Sequence, residues 1–126
     1  MVSKAERTRN LIVAKSAPIF NQLGYGDTSL STICNSTGLS KGSVYGNFKD
    51  KNELALEAFN LGVENIILKG QASNDFKAEI EADRYAKRIY SMIEGSIFTA
   101  MMQKDEGHII EMMNYLEQMV QQELYK

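Results

Sequence analysis

The chain has 126 residues, a net charge of −2 and 44% hydrophobic residues, which suits one domain or two small helical layers and excludes a large core. No stretch approaches the roughly 20 apolar residues needed to span a membrane, and the N-terminal MVSKAERTR lacks an apolar core for export, so a cytoplasmic protein without a membrane partner is expected. The single cysteine, Cys34, cannot form an internal disulfide, which fits a reducing compartment.

One proline against nine glycines, with helix-period patterning nearly throughout, predicts an all-α fold. Ser3 and Glu6 form an S-x-x-E capping box that starts the first helix, which runs to Leu23 and stops at Gly24. Ile12, Ser16, Ile19, Phe20 and Leu23 mark its inner face. Pro18 lies inside it and predicts either a bend or two shorter helices. After the turn 24–27, Thr28 or Ser29 caps a second helix whose buried face is Leu30, Ile33, Cys34 and Thr37. Gly38 ends that helix and Leu39 can fold back onto it. Ser40 caps a third, short helix anchored by Val44 and Phe48, four residues apart. This succession of short helix, glycine turn and second short helix is the layout of a helix-turn-helix DNA reader.

Asp50, with Glu53 reaching back, starts a long fourth helix. Leu54, Ala58, Leu61, Asn65 and Leu68 trace one face of it, and Phe59, Val63, Ile66 and Ile67 another, as for a helix that touches neighbours on two sides. From Lys69 to Lys77 the pattern fails, with Gly70, Ser73, Asn74 and Asp75 reading as a polar linker. Two helices follow, roughly Glu81 to Gln103 and Glu106 to Tyr125, joined at Lys104-Asp105. Tyr85, Ile89, Met92, Ile93, Ile97 and Met101 stripe the first; Ile109, Met112, Met113, Leu116, Met119, Val120 and Leu124 stripe the second.

Charge divides along the chain. Residues 1–51 hold seven Lys and Arg against three Asp and Glu, a net +4, whereas residues 52–126 hold seven against thirteen, a net −6. A polyanion would prefer the first part. The domain boundaries follow: a helix-turn-helix domain over 1–51, and a linking helix with a C-terminal helical domain over 52–126, with a possible break near 69–77.

The quoted residues resemble a known family. Phe20 and Gly24-Tyr25, then Thr28-Ser29-Leu30 and Ile33, then Thr37-Gly38-Leu39-Ser40-Lys41-Gly42-Ser43-Val44-Tyr45 and Phe48, then Lys51 and Glu53-Leu54, are similar to the DNA-binding domain of the TetR family of bacterial transcriptional regulators. Ala82 to Tyr125 is similar to the last two helices of such regulators, which usually build a four-helix dimer interface. The resemblance implies a homodimer, most often a repressor, that sets its third helix in the major groove of a palindromic operator, with a small-molecule effector as a possible partner and no cofactor. It also implies that Thr28, Lys41, Gly42, Ser43, Tyr45 and Lys51 touch DNA. Ser40 and Asn47 join them as neighbours on the same turn and helix, with Lys41 and Ser43 assigned to base edges or nearby phosphates and Tyr45, Lys51 and Thr28 to phosphates. Asn47 suits either role. Met92, Ile97, Met101, Ile109, Met112, Leu116 and Met119 are the expected dimer interface. Gly46 and Asn47 depart from the family, where larger polar or aromatic residues are common. The family's effector-pocket helices are missing: either the pocket is lost or a segment near 69–77 is absent, the second being favoured because the flanking helices keep family features.

Other residues carry less. Cys34 belongs on a buried stripe, so a core role outweighs a redox one. His108 and Glu111 are too few ligands for a metal site. Glu79, Glu81 and Asp83 are favourable charges at a helix start. No phosphate loop, metal spacing or nucleophile elbow appears, so no enzyme is expected. The alternatives are a helical interaction module using its Met-rich hairpin, or a constitutive DNA binder without an effector pocket.

Overall fold

The computed structural model describes residues 2–126, which form six α-helices: α1 (Lys4–Leu23), α2 (Leu30–Thr37), α3 (Lys41–Asn47), α4 (Lys51–Ala72), α5 (Ala82–Gln103) and α6 (Gly107–Glu123). Two compact units divide at Gly62 and Val63, further along than the sequence boundary at 51.

The first unit has a core of Ile12, Val13, Leu30, Ile33, Cys34, Val44, Phe48, Leu54 and Ala58, with Ile19, Phe20, Leu39 and Leu61 packed on it. Each fully buried aliphatic side chain here contributes roughly 1.5–3 kcal/mol. The predicted capping box is present at Ser3 and Glu6, with both reciprocal bonds made. α1 continues through Pro18 as one helix, so the two-helix alternative does not hold. Buried Ile12 and Ser16 before the proline and partly buried Ile19 and Phe20 after it hold the helix to one core. Leu23, predicted on the inner face, is 42% exposed, because the helix ends at Gly24 beyond the reach of that core.

α4 explains its own two stripes. Leu54, Ala58 and Leu61 belong to the first core, while Val63 and Ile67 belong to the second, so the buried face changes where the chain passes from one unit to the other. Asn65, Ile66, Leu68 and Phe59, predicted on those stripes, are exposed. At the N-terminus Asp50 accepts the Glu53 amide at 2.9 Å, but Glu53 reaches back to the amide of Lys49 rather than of Asp50.

The second unit is built on Ile67, Ala82, Tyr85 and Leu124, with Val63, Phe76, Ile80, Ile89, Met119 and Val120 against them. The segment read as a polar linker is part of this structure. α4 extends to Ala72, and the Gly70 carbonyl accepts the amides of Asp75 (2.9 Å) and Phe76 (3.1 Å). Lys77 donates its amide to Leu124 (2.8 Å) and Lys126 to Asp75 (3.1 Å), and the Phe76 and Tyr125 rings meet edge to face at 4.8 Å. Gln71 donates its side-chain amide to the carbonyls of Lys77 and Ile80. Polar composition misled here because the bonds that order the segment are mostly backbone bonds, which any sequence can make.

α5 and α6 pack on one another, joined at Lys104, whose φ of 53° is left-handed and ends α5. Small residues the periodicity passed over, Ala86, Ser96 and Ala100, are buried on α5.

Candidate nucleic-acid interface

α2 starts at Ser29, whose hydroxyl accepts the Thr32 amide at 3.0 Å, and ends at Gly38, where φ is +75° and the amide bonds to the Cys34 carbonyl. Glycine adopts that left-handed conformation without the clash a Cβ would bring. Ser40 then caps α3 by accepting the Ser43 amide at 3.1 Å. Val44 is 0% and Phe48 1% exposed, so α3 is fixed to the core along one stripe.

That anchoring decides what faces solvent. Lys41, Gly42, Tyr45 and Gly46 are exposed, at i, i+1, i+4 and i+5 on one side of the helix, and Ser40 and Lys49 are exposed at its two ends. Ser43 and Asn47 are half-buried. Asn47 turns its side-chain amide back to the Ser43 carbonyl at 2.8 Å, which leaves its side-chain oxygen as an acceptor. A Cβ added at Gly42 or Gly46 meets nothing within 4 Å, so the fold does not require glycine there; the two gaps thin the helix on its outer side. A B-form major groove, about 12 Å wide, admits one helix with its side chains.

Lys51 stands at the start of α4 with its ammonium 2.9 Å from the Tyr25 carbonyl and 4.1 Å from the centre of the Tyr25 ring. The ring offers its electron-rich face to the cation. One of three ammonium donors is thereby used, and two remain. Tyr25, 49% exposed, has no DNA-binding role assigned from sequence; its signal is the Gly24-Tyr25 pair, which belongs to the turn and to the family resemblance.

Thr28 requires a correction. It is 1% exposed and its hydroxyl donates to the Gly24 carbonyl at 2.6 Å, so it closes the turn before α2 and is not on the exposed face. A threonine at a helix start offers the same hydroxyl to backbone or to phosphate, and here backbone holds it.

The charge count also changes. Arg9 is among the seven basic residues of the N-terminal part, yet its guanidinium is paired with Glu53 at 2.8 Å and with Glu57. The hydrogen bonds Arg9 donates to Glu57 and then to Glu53 raise its pKa above the usual value, and the bond from Arg9, followed by that from the Lys49 amide, lowers the Glu53 pKa. Among the described residues, the cations on α3 or just after it without a carboxylate partner are therefore Lys41, Lys49 and Lys51.

In the second unit the expected interface residues are spread by exposure. Met101 is 72% and Ile97 42% exposed, while Met92, Ile109, Met112, Leu116 and Met119 are half-buried. Phe98 (66%), Met102 (69%), Ile110 (66%) and Tyr115 (59%) are exposed too, and the sequence reading passed over them because they lie beside the main stripes. An open cleft of about 460 Å³ is lined by Lys87, Arg88, Ser91, Met92, Met119 and Glu123. No described helix is long and apolar enough to cross a membrane.

A capped helix, a glycine turn and a second helix with a polar, partly bare outer face define a helix-turn-helix domain. Residues 12–58 match the family profile of bacterial regulatory proteins, tetR family. The chain is 32% identical over 80 residues to the HTH-type transcriptional regulator AcrR of Shigella flexneri, covering 64% of this chain and 36% of that protein. It thus spans about a third of that relative's length. Among solved structures, a TetR transcriptional regulator from Chloroflexus aurantiacus J-10-FL aligns with a TM-score of 0.51 at 20% identity over 97% of this chain and 98% of that one. A TetR-family regulator from Cytophaga hutchinsonii aligns with a TM-score of 0.49 at 20% identity, over 100% and 99% of the two chains. Residues 12–58 are thus similar to the DNA-binding domain of the TetR family.

Proposed function

We propose that this chain is a transcriptional regulator that works in the cytoplasm as a homodimeric repressor, placing α3 in the major groove of a palindromic operator. The observation that carries the reading is the outer face of α3, where Lys41, Gly42, Tyr45 and Gly46 are exposed while Val44 and Phe48 hold the helix to the core. Lys41 and Ser43 face base edges or adjoining phosphates, Tyr45 and Lys51 face phosphates, and the Asn47 carbonyl oxygen serves either. Ser40 and Gly42 let the helix N-terminus come close.

Dimerisation through α5 and α6 is supported by the exposed apolar side chains of Ile97, Phe98, Met101 and Met102, an arrangement that in soluble proteins marks an interaction surface. Two-fold symmetry would place two α3 helices on half-sites about 34–36 Å apart, or slightly more. A small-molecule effector would act by favouring a dimer with another spacing. No enzymatic step and no cofactor enters this reading.

The test is selection of duplexes from a random pool by the intact chain, followed by mobility shift at several salt concentrations and sedimentation of the complex. A two-fold symmetric selected site, two chains per duplex and a log-linear fall of affinity with salt are expected. Failure to enrich any duplex, or binding indifferent to salt, refutes the reading and leaves a protein-interaction role.

A further inference from the structure

α3 is a weak helix by composition. Two of its residues are glycine, each about 1 kcal/mol less favourable than alanine in a helix interior, and it carries no basic residue in its last turn. The last carbonyls of such a helix need donors from elsewhere, and a cation at its C-terminus is favoured by the helix dipole.

Arg9, early in α1, supplies both. One guanidinium nitrogen donates to the backbone carbonyl of Asn47, the last residue of α3. A second donates to Glu53 at 2.8 Å and to Glu57, and the Nε donates to Glu57 at 3.2 Å. The guanidinium plane lies 4.2 Å from the centre of the Phe48 ring, the residue that caps α3. A single side chain thus joins α1 to the end of α3 and to the first turns of α4.

We propose that Arg9 is a positioning residue for sequence readout: it holds the C-terminal end of α3 at a fixed angle to α1 and α4, and so fixes which side chains of α3 reach the bases. This rests on the DNA-reading role proposed above. Arg9 itself is not a phosphate contact. Its charge is outnumbered by the two carboxylates it binds, so the cluster is net negative and would not attract a backbone phosphate. Lysine cannot substitute, because a point charge on a flexible stem does not reproduce a planar fork that bonds three acceptors while stacking on a ring.

The experiment uses the intact chain, the duplex it selects from a random pool, and a scrambled duplex of equal length. Arg9→Lys, Arg9→Met and Glu57→Gln are compared below the onset of melting seen by circular dichroism. In both Arg9 variants the ratio of selected to scrambled affinity is expected to fall roughly tenfold or more, while scrambled affinity and the salt slope stay at the wild-type values. Glu57→Gln, which keeps a hydrogen-bond acceptor and loses a charge, is expected to lower the ratio less, roughly threefold, and it remains informative if Arg9→Met does not fold. An intact ratio with only a lower melting temperature would reduce Arg9 to a scaffold role and overturn the proposal. A salt slope smaller by about one unit would make Arg9 a direct phosphate contact and overturn it equally. If the wild-type chain selects no duplex, the DNA-reading role falls and this inference with it; if the wild type discriminates and the variants do too, only this inference falls.

Discussion

Alanine at two glycines of α4 is expected to have opposite effects. Helix propensity alone favours both substitutions by about 1 kcal/mol, since Gly62 and Gly70 lie inside one helix. At Gly62 an added Cβ meets nothing within 4 Å, so Gly62→Ala keeps that gain. At Gly70 the Cβ would lie 2.1 Å from Cδ2 and 2.3 Å from Cε2 of Phe76, closer than atoms can approach. The ring must move, at an overpacking cost of about 1–3 kcal/mol. Moving it also disturbs the edge-to-face contact with Tyr125, worth about 0.5–1.5 kcal/mol. Set against the propensity gain, Gly70→Ala is left destabilising by about 2 kcal/mol. For a unit of this size each kcal/mol shifts the midpoint by roughly 4–8 °C, so the second unit should melt roughly 10 °C lower in Gly70→Ala, while Gly62→Ala should melt several degrees higher. Thermal unfolding followed by far-ultraviolet circular dichroism and tyrosine fluorescence measures both. A Gly70→Ala chain as stable as Gly62→Ala would refute the seating of Phe76 on Gly70. Combining Gly70→Ala with Phe76→Ala should cancel most of the clash, which checks its source.

Three further outcomes are expected. Lys51→Ala should weaken binding to all duplexes and lower the salt slope by roughly one unit in a mobility-shift titration, and an unchanged slope would remove Lys51 from the contacts. Met101→Glu, at a position 72% exposed in the single chain, should leave the helical fold intact but shift sedimentation from dimer to monomer and abolish operator binding; a dimeric, DNA-competent variant would refute the interface. Tyr85 is 2% exposed, and burial first, then its hydrogen bond to Glu123, pushes its phenol up to about 12 from the ordinary 10. The unfolded chain therefore ionises first, so the contribution of Tyr85 should be fully present below its unfolded pKa and fall by about 2–3 kcal/mol as pH rises from about 10 to 12. Urea unfolding of Tyr85→Phe should lose that component of the pH dependence, and an equal fall in both proteins would show that other groups cause it.

Residues that act locally were legible in the sequence. Ser3, Ser29, Ser40 and Asp50 each bond an amide three residues on, and a cap needs only the right oxygen at the right offset. Val44 and Phe48 were legible for the same reason, as a pair one helical turn apart. Arg9 was not, because its partners lie 38 to 48 positions away and nothing in its neighbourhood sets it apart from Arg7. Thr28 was placed on the wrong side because a hydroxyl at a helix start serves a turn carbonyl and a phosphate equally well. On α5 and α6 the stripes are wide, and periodicity does not say which part is covered; Ala86, Ser96 and Ala100, outside those stripes, are among the residues buried on α5.

The pairing of 75–77 with 124–126 bears on how the second unit assembles. α5 and α6 are neighbours in sequence and can meet early, whereas the Asn74 to Lys126 contact spans 52 residues. Loop-closure entropy grows with the logarithm of that span, so this contact is unfavourable until the α5 and α6 pair has already brought its two ends together. The amides of Lys77 and Lys126, which donate across it, should form late in folding and exchange with solvent before those in the middle of α5. The second unit is thus closed last at the point where the segment before α5 meets the residues after α6.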